Sequence, residues 1–197
     1  MLPAVKTLKK TGQESLLFNN ENLPINILSF WQWSNSELLG NALRGIFAEF
    51  IIGSAIDMLD SLREEWDSYD LVTKNGLKIE VKSSSYLQSW KQSKLSNIIF
   101  GIQPTVAWDS MNHRSTEKIR QSDIYIFCVL AHKDKETVNP INLSQWDFYI
   151  LETKVLNERV KMQKSITLSS LLTLNPLKVK YNELRDEIEN VEFKYNN

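Results

Sequence analysis

The amino-acid sequence predicts an α/β domain with a mixed central sheet flanked by helices. Three observations predict it. Apolar residues at helical spacing follow Ser34, two short strand-like segments then meet at a turn, and the apolar run 124–131 has the character of a buried strand. The chain has 197 residues, which suits a single domain over 1–197 with a core at about 36–151 and additions at both ends.

Composition narrows the class of protein. Hydrophobic residues make up 42% and charged residues 24% of the chain, near the averages of globular domains, so disorder, collagen and coiled coil are poor fits. No signal peptide and no apolar run of membrane-spanning length is visible, and we therefore expect a cytoplasmic protein without a membrane partner. The single cysteine, Cys128, is expected to be a buried thiol in a strand.

The elements follow in order along the chain. Residues 1–35 are polar and irregular, and the capping-box spacing of Ser34 and Glu37 predicts a helix that runs to about Leu62. Strands are expected at 69–73, 77–82, 97–102, 124–131 and 146–151, with a brief helix at 86–94. The C-terminal part holds an alternating segment at 165–168 and a charged helical segment at 181–191.

The hairpin between the first two strands has a register that its apolar pattern selects. A two-residue turn at Asn75–Gly76 would mix apolar and charged side chains on the faces. A three-residue turn with Gly76 left-handed instead pairs Asp70 with Glu80. One face is then apolar and the other charged: Tyr69, Leu71, Leu77, Ile79 and Val81 against Asp70, Lys78, Glu80 and Lys82.

Facing carboxylates destabilise a sheet unless something neutralises them, and a bound cation would do so. Two carboxylates, a backbone carbonyl and retained waters are the oxygen ligands that Mg²⁺ prefers. Lys82 projects from the same face as Glu80, where its ammonium can hold an attacking water or offset charge on a phosphate. The alternative is an exposed amphipathic hairpin with a charged outer face.

Glu49 strengthens the case for a metal site. On a helical wheel its neighbours are apolar or small, apart from Asp60 at the far end. A carboxylate in such a stripe is costly unless it is paired or bound to metal. We expect Glu49 to reach the metal or Lys82, and the alternative is a buried ion pair with an Arg or Lys elsewhere.

These features together resemble the PD-(D/E)XK nuclease superfamily, in the segments Arg44–Gly53, Trp66–Leu71 and Ile79–Ser84. The resemblance covers Ser36 to about Leu130 and implies a restriction-endonuclease-like αβββαβ core. It implies Asp70 and Glu80 as metal ligands, with the backbone carbonyl of Val81 and the first-helix acid Glu49, and Lys82 as the catalytic lysine. The residues before Asp70 depart from the pattern, because Ser68–Tyr69 stands where a proline is common.

The resemblance also implies a function. It predicts a Mg²⁺-dependent deoxyribonuclease, with Mn²⁺ as a substitute, that acts in restriction, repair or mobile-element processing. DNA is the implied partner, RNA is not excluded, and a homodimer would follow family habit. Two alternatives stand beside it: a catalytically inactive nuclease-like module that binds nucleic acid or protein, and an interaction protein with an incidental charged hairpin.

Some further residues are weaker candidates. Gln88, six residues after Lys82, resembles the glutamine that some branches place on the helix after the metal site, and Gln92 competes for that role. Aromatic and hydroxyl side chains that could meet DNA are Ser83, Ser84, Tyr86, Trp90, Trp108 and Trp146. His113 and His132 have no ligand-spaced partner, which argues against zinc. The net charge of −1 is unusual for a DNA enzyme, but five lysines lie between Lys74 and Lys94 against Glu80 alone.

Overall fold

The computed structural model of the chain describes residues 2, 5–63, 68–108 and 114–196. Its contacts divide the chain into two compact units, Met1–Leu38 and Leu39–Asn197. The prediction of one domain over residues 1–197 stays a prediction. Among the described residues, every helix is too short or too polar to span a bilayer.

The N-terminal unit has regular structure where the sequence predicted an irregular segment. Strands β1 (Ser15–Phe18) and β2 (Glu21–Asn26) form an antiparallel hairpin. Its turn is Asn19–Asn20, and both residues have positive φ, which asparagine tolerates better than most residues. Helix α1 (Ile27–Asn35) then begins at Asn26, whose side chain accepts the Ser29 N–H at 2.9 Å.

The larger unit contains the remaining elements. Its helices are α2 (Asn41–Ala55), α3 (Thr153–Arg159), α4 (Leu168–Leu172) and α5 (Leu184–Asn196). Its strands are β3 (Leu71–Val72), β4 (Lys78–Ser85), β5 (Ile99–Gly101), β6 (Thr105–Trp108), β7 (Arg114–Ile119), β8 (Ile124–Leu130), β9 (Trp146–Glu152), β10 (Ser165–Thr167) and β11 (Leu177–Val179).

A five-stranded mixed sheet organises this unit, in the order β11–β9–β8–β4–β3. Strands β4 and β8 are parallel, and the other neighbours are antiparallel. All seven residues of β8 are buried, as expected for a central strand with both faces covered. The predicted α/β class with a mixed sheet is therefore confirmed, and Cys128 is buried as predicted.

Two apolar clusters cover the two faces of the sheet. On one face, α2 and α5 pack against Ile79 and Val81 of β4 and the even-numbered residues of β8. On the other face, α3, α4, β5 and β10 pack against Tyr125, Phe127 and Val129. Because side chains alternate along a strand, the charged residues of β4 point away from α2.

The predicted helix from Ser34 to about Leu62 is wrong at both ends. Helix α1 is just ending here, at Asn35, and α2 begins only at Asn41. The Ser34 hydroxyl donates to the Phe30 carbonyl at 2.8 Å instead of capping a new helix, and α2 begins after Gly40 without a side-chain cap. It ends at Ala55, and Asp57 then adopts a positive φ of 55°, which turns the chain back.

The predicted helix at 86–94 is also wrong, because these residues form a loop. In the described part of the crossover from β4 to β8, residues 86–108 and 114–123, the regular elements are strands β5, β6 and β7. Strand β5 lies within the predicted 97–102 segment but pairs with β10 instead of joining the central sheet. The second helix expected for an αβββαβ core is thus missing from that place.

Candidate functional site: a carboxylate pair on the central hairpin

The hairpin of β3 and β4 has the register that the apolar pattern selects. Leu71 pairs with Ile79 and Val72 with Lys78, which is the predicted register. Asp70 comes just before the first paired residue, and its N–H donates to the Ile79 carbonyl at 3.0 Å. Thr73 closes the turn by donating its N–H to Leu77, and Gly76 has a φ of +95°. Only glycine adopts that conformation without strain, which allows the three-residue turn.

The two faces separate as predicted along β4, but Lys78 Nζ lies 5.4 Å from the centre of the Tyr69 ring, although these two were predicted on opposite faces. Leu77, Ile79 and Val81 are buried against α2, with at most 6% of each residue exposed. Glu80 and Lys82 project from the opposite face, where their side chains are 19% and 30% exposed. The Lys82 ammonium donates to Glu80 Oε1 at 2.5 Å, so acid and lysine are in direct contact.

Asp70 is held beside this pair by the backbone of β4. Its Oδ2 accepts the Val81 N–H at 2.7 Å. Burial, and then the negative charge of Glu80, raise the pKa of Asp70 to about 6; Lys82 and the hydrogen bond from Val81 oppose the rise, and Glu49 adds to it. The carboxylates of Asp70, Glu80 and Glu49 therefore share one electrostatic environment, in which a cation would relieve their repulsion.

Val81 can offer a backbone oxygen at the same place. In a strand, the N–H and C=O of one residue point to the same side. The Val81 N–H points towards Asp70, so its carbonyl faces the same edge of β4. Strand β3 pairs with β4 only at Leu71 and Val72, and it therefore does not use this carbonyl in its ladder.

Glu49 lies near the site but is already engaged. Arg63 clasps its carboxylate, with Nε at 2.5 Å from Oε2 and Nη2 at 3.0 Å from Oε1. Its side chain is 13% exposed, because it stands at the edge of the buried face of α2 and not at its centre. The expectation that the apolar neighbours of Glu49 on the helical wheel are buried is wrong in part, because two of them, Ala42 and Ile46, are exposed. Glu49 thus pairs with an arginine, as the ion-pair alternative expects, and it remains close enough to raise the pKa of Asp70.

Gln88 supports a loop instead of the carboxylates. It is 6% exposed, and its Nε2 donates to the Ser85 carbonyl at 3.2 Å and to Ser96 Oγ at 3.3 Å. Its Oε1 accepts from Arg44, the buried charge of α2, at 3.5 Å. Its hydrogen bonds within the described residues thus go elsewhere than to Asp70, Glu80 or Lys82.

The weaker candidates separate by burial. Trp146 is fully buried in the core and Ser84 is 7% exposed, whereas Trp90 is 56% exposed. The His132 ring bonds to Thr137 Oγ1 at 2.7 Å. His113 and the side chain of Trp108 lie outside the described residues.

Sequence reasoning missed Arg63 and Glu192. Glu192 of α5 is 6% exposed and binds the hairpin turn: Asn75 Nδ2 donates to its Oε2 at 2.9 Å and the Thr73 hydroxyl donates to its Oε1. These contacts join residues 14, 117 and 119 positions apart, so no local spacing in the sequence could have revealed them.

The donor set at the hairpin fits magnesium better than zinc. In the part of the chain that the structure describes, no group of three or more His, Cys, Asp or Glu side chains is placed to hold a metal ion. What Asp70, Glu80 and Val81 offer is two carboxylates and a carbonyl, all hard oxygen donors. Mg²⁺ commonly binds through one or two carboxylates and keeps several waters, which matches this set.

Comparison with known proteins identifies a family. The sequence model of the family described as bacteriophage T4 endonuclease IV matches residues 25–170. That stretch contains all the predicted site residues, from Glu49 to Gln88, and ends before α5. No curated protein matches the chain. Because the family match covers about three quarters of the 197 residues, the chain belongs to the bacteriophage T4 endonuclease IV family.

Proposed function

We propose that this endonuclease hydrolyses DNA with the help of Mg²⁺, for which Mn²⁺ can substitute, and that Asp70, Glu80 and the Val81 carbonyl hold the ion. The proposal places the chain among PD-(D/E)XK nucleases, as the sequence motifs suggest. One observation carries it: the hairpin anchors the Asp70 carboxylate on the Val81 N–H, and Glu80 and Lys82, the residues on either side of Val81, are in direct contact with each other.

The electrostatics of the pair support a bound cation. Burial, and then the negative charge of Glu80, raise the pKa of Asp70 to about 6. A divalent ion supplies Lewis-acid stabilisation of the charge that develops on the scissile phosphate. Glu80 and Val81 belong to strand β4, and the Val81 N–H anchors the Asp70 carboxylate, so we expect little reorganisation of these donors on binding.

Lys82 is the residue that we assign to the reacting atoms. Its ammonium is a three-fold donor already confined beside Glu80, and it is 30% exposed. It can donate to the attacking water and fix its direction, or donate to a phosphate oxygen as negative charge grows there. Both roles need an ammonium on the polar face of β4, which the alternation of side chains provides.

Glu49 and Gln88 take supporting parts in the proposal. Glu49 holds Arg63 and adds to the negative field around Asp70, so its assignment as a direct metal ligand stays a prediction. Gln88 joins the start of α2 to the end of β4 through Arg44 and Ser85, and its assignment to the catalytic group also stays a prediction. Substituting Glu49 or Gln88 should therefore lower activity by shifting the elements that carry the site, more than by removing a group that contacts the substrate.

A cleavage assay tests the proposal with linear, circular and branched DNA in Mg²⁺, Mn²⁺ or EDTA. Glu80→Gln and Lys82→Met should each lower the rate by about a hundredfold or more. The chain offers a matched control, because Glu152 and Lys154 form a second Glu-x-Lys ion pair, at 2.6 Å, outside the hairpin. Glu152→Gln and Lys154→Met should cut normally.

Three results would contradict this assignment. Cleavage that survives both Glu80→Gln and Lys82→Met removes the site, and full activity in EDTA removes the metal. A folded wild type that binds Mg²⁺, shown by a rise in its melting temperature, but cuts none of the DNA forms favours the inactive nuclease-like module.

A further inference from the structure

The loop that follows β4 is held together by hydrogen bonds, although it is not the helix that the sequence suggested. The Ser96 N–H donates to the Tyr86 carbonyl at 2.9 Å and closes residues 86–96 into a compact loop. Gln92 fills its centre, accepting the Gln88 N–H at 2.7 Å and donating to the Tyr86 carbonyl at 3.2 Å. Side-chain amides thus satisfy backbone groups that a helix would have paired.

This loop presents positive charge to solvent. Lys91 and Lys94 are exposed, as is their neighbour Trp90. The buried amide of Gln88 and the partly buried amide of Gln92 hold the loop through hydrogen bonds, so its lysines project from a defined support.

The loop after β8 adds two more lysines to the same surface. Because β4 and β8 are parallel neighbours, with Ser85 opposite Leu130, their C-terminal ends lie side by side. Lys133 Nζ stands 4.8 Å from the centre of the Tyr86 ring, and Lys135 Nζ donates to the Trp90 carbonyl. We call Lys91, Lys94, Lys133 and Lys135 the lysine surface.

Acidic residues of the second loop offset this charge only in part. Asp134 is turned into its own loop, where it accepts the Glu136 N–H at 3.0 Å and the Thr137 hydroxyl at 2.8 Å. The four lysines outnumber the two acidic residues of this loop, Asp134 and Glu136. The net charge of these six side chains is therefore positive, although the whole chain carries a net charge of −1. Positive charge concentrated in one place on a neutral protein is typical of a phosphate-binding face.

The lysine surface lies along the strand that bears the carboxylate pair. Glu80 and Lys82 occupy alternate positions of β4 and so share a face, and Tyr86, just after the strand, packs against the apolar cluster on that same face of the sheet. Lys82 and Tyr86 are four positions apart, with Ser83, Ser84 and Ser85 between them, a span of about 13 Å at strand spacing. That distance corresponds to about four nucleotides of one strand of a duplex.

We propose that the lysine surface binds the sugar-phosphate backbone of the DNA substrate a few nucleotides from the scissile bond. This inference rests on the proposed function, because it takes the hairpin as the place of cleavage. The contact is with phosphates, so it is independent of base sequence. Lys133 and Lys135 serve it together with Lys91 and Lys94, from loops that only the parallel pairing of β4 and β8 brings together.

Salt dependence of binding tests the proposal directly. The probe is a fluorescein-labelled DNA of mixed sequence, in duplex and single-stranded forms, with Ca²⁺ replacing Mg²⁺ and anisotropy measured over about 50–200 mM salt. The test variants are Lys91→Gln with Lys94→Gln, and Lys133→Gln with Lys135→Gln. The control is Lys154→Gln with Lys164→Gln, two exposed lysines of the same unit; Lys154 follows Glu152, which pairs with the opposite end of β8.

Each test variant should reduce the slope of log affinity against log salt by about 1.8 on duplex and about 1.4 on single strands. Relative to 1 M salt, this is at 0.1 M salt about a sixtyfold loss of affinity for duplex and about a 25-fold loss for single strands. Slopes equal to wild type in both test variants, or an equal loss in the control, would overturn the lysine surface. Such a result leaves the hairpin site standing if Glu80→Gln still abolishes cutting. Reduced slopes in the test variants, together with a wild type that never cuts DNA, would contradict only the nuclease site.

Discussion

Replacing Asp70 by asparagine should stabilise the metal-free protein, an unusual outcome for a change at a partly buried site. Burial and the facing Glu80 carboxylate raise the pKa of Asp70 from 3.8 to about 6. A shift of this size corresponds to about 3 kcal/mol of unfavourable free energy in the ionised folded protein. Asparagine keeps the shape and still accepts the Val81 N–H, so the Asp70→Asn variant removes the charge and keeps the contact.

The sign of the effect follows from the direction of the shift. A carboxyl group whose pKa is raised by folding binds protons more tightly in the folded state, so its ionisation destabilises the fold. The penalty is complete above pH 6 and disappears as the pH falls below about 4. Because an amide also loses hydration on burial, we expect a net gain of about 1–3 kcal/mol at pH 8 and little at pH 4.

Urea unfolding in EDTA at the two pH values measures this difference. Asp147 supplies a control of opposite sign: burial raises its pKa, but hydrogen bonds from Lys180 and Lys178 outweigh that and lower it. Asp147→Asn should therefore lose stability at pH 8. Mg²⁺ should raise the melting temperature of the wild type at pH 8, and much less that of Asp70→Asn.

An Asp70→Asn variant that is less stable than wild type at pH 8, by the same amount as at pH 4, would refute the reasoning. It would mean that the ionised Asp70 carboxylate does not destabilise the folded protein when no cation is bound. The electrostatic support for a metal at the hairpin would then be lost. A Mg²⁺ response that survives the substitution would point to ligands elsewhere in the chain.

Two further predictions concern the turn that sets the register. Gly76→Ala should cost about 1–2 kcal/mol in urea unfolding, through left-handed strain alone, because a Cβ there meets nothing within 4 Å. Gly76→Asn should cost less, and equal losses in both would contradict a strain origin. Glu192→Gln should cost about 1.5–3 kcal/mol, since an amide nitrogen replaces an oxygen that accepts from Thr73 or Asn75. An unchanged stability would show that α5 does not hold the turn.

The hairpin was predictable because its signals are local. Apolar and charged residues alternate from Tyr69 to Lys82, and a register shifted by one residue would have placed one set on the wrong face. Gly76 then allows the turn that this register needs. The sequence also holds a second Glu-x-Lys pair, Glu152 and Lys154. The feature that distinguishes the hairpin from it is Asp70, the acid predicted to pair with Glu80.

The ends of helices were not predictable, because several local signals of similar strength compete. Ser34 and Glu37 have capping-box spacing, yet the Ser34 hydroxyl bonds back to its own helix. At residues 86–94 the glutamines favour a helix by propensity. In the structure the side-chain amides of Gln88 and Gln92 instead form hydrogen bonds with backbone groups of the loop. Burial by the sheet, and not the helical wheel, decided which face of α2 points inwards.

The sequence by itself determined the α/β class, the two strands of the hairpin and the meeting of Asp70, Glu80 and Lys82, because all of these follow from alternation over a dozen residues. Only the tertiary structure decided that Arg63 holds Glu49, that Glu192 holds the turn, and that Lys133 joins the loop after β4. Each of these contacts closes a long stretch of chain, and its partners are selected by packing of the whole unit, which no local spacing encodes.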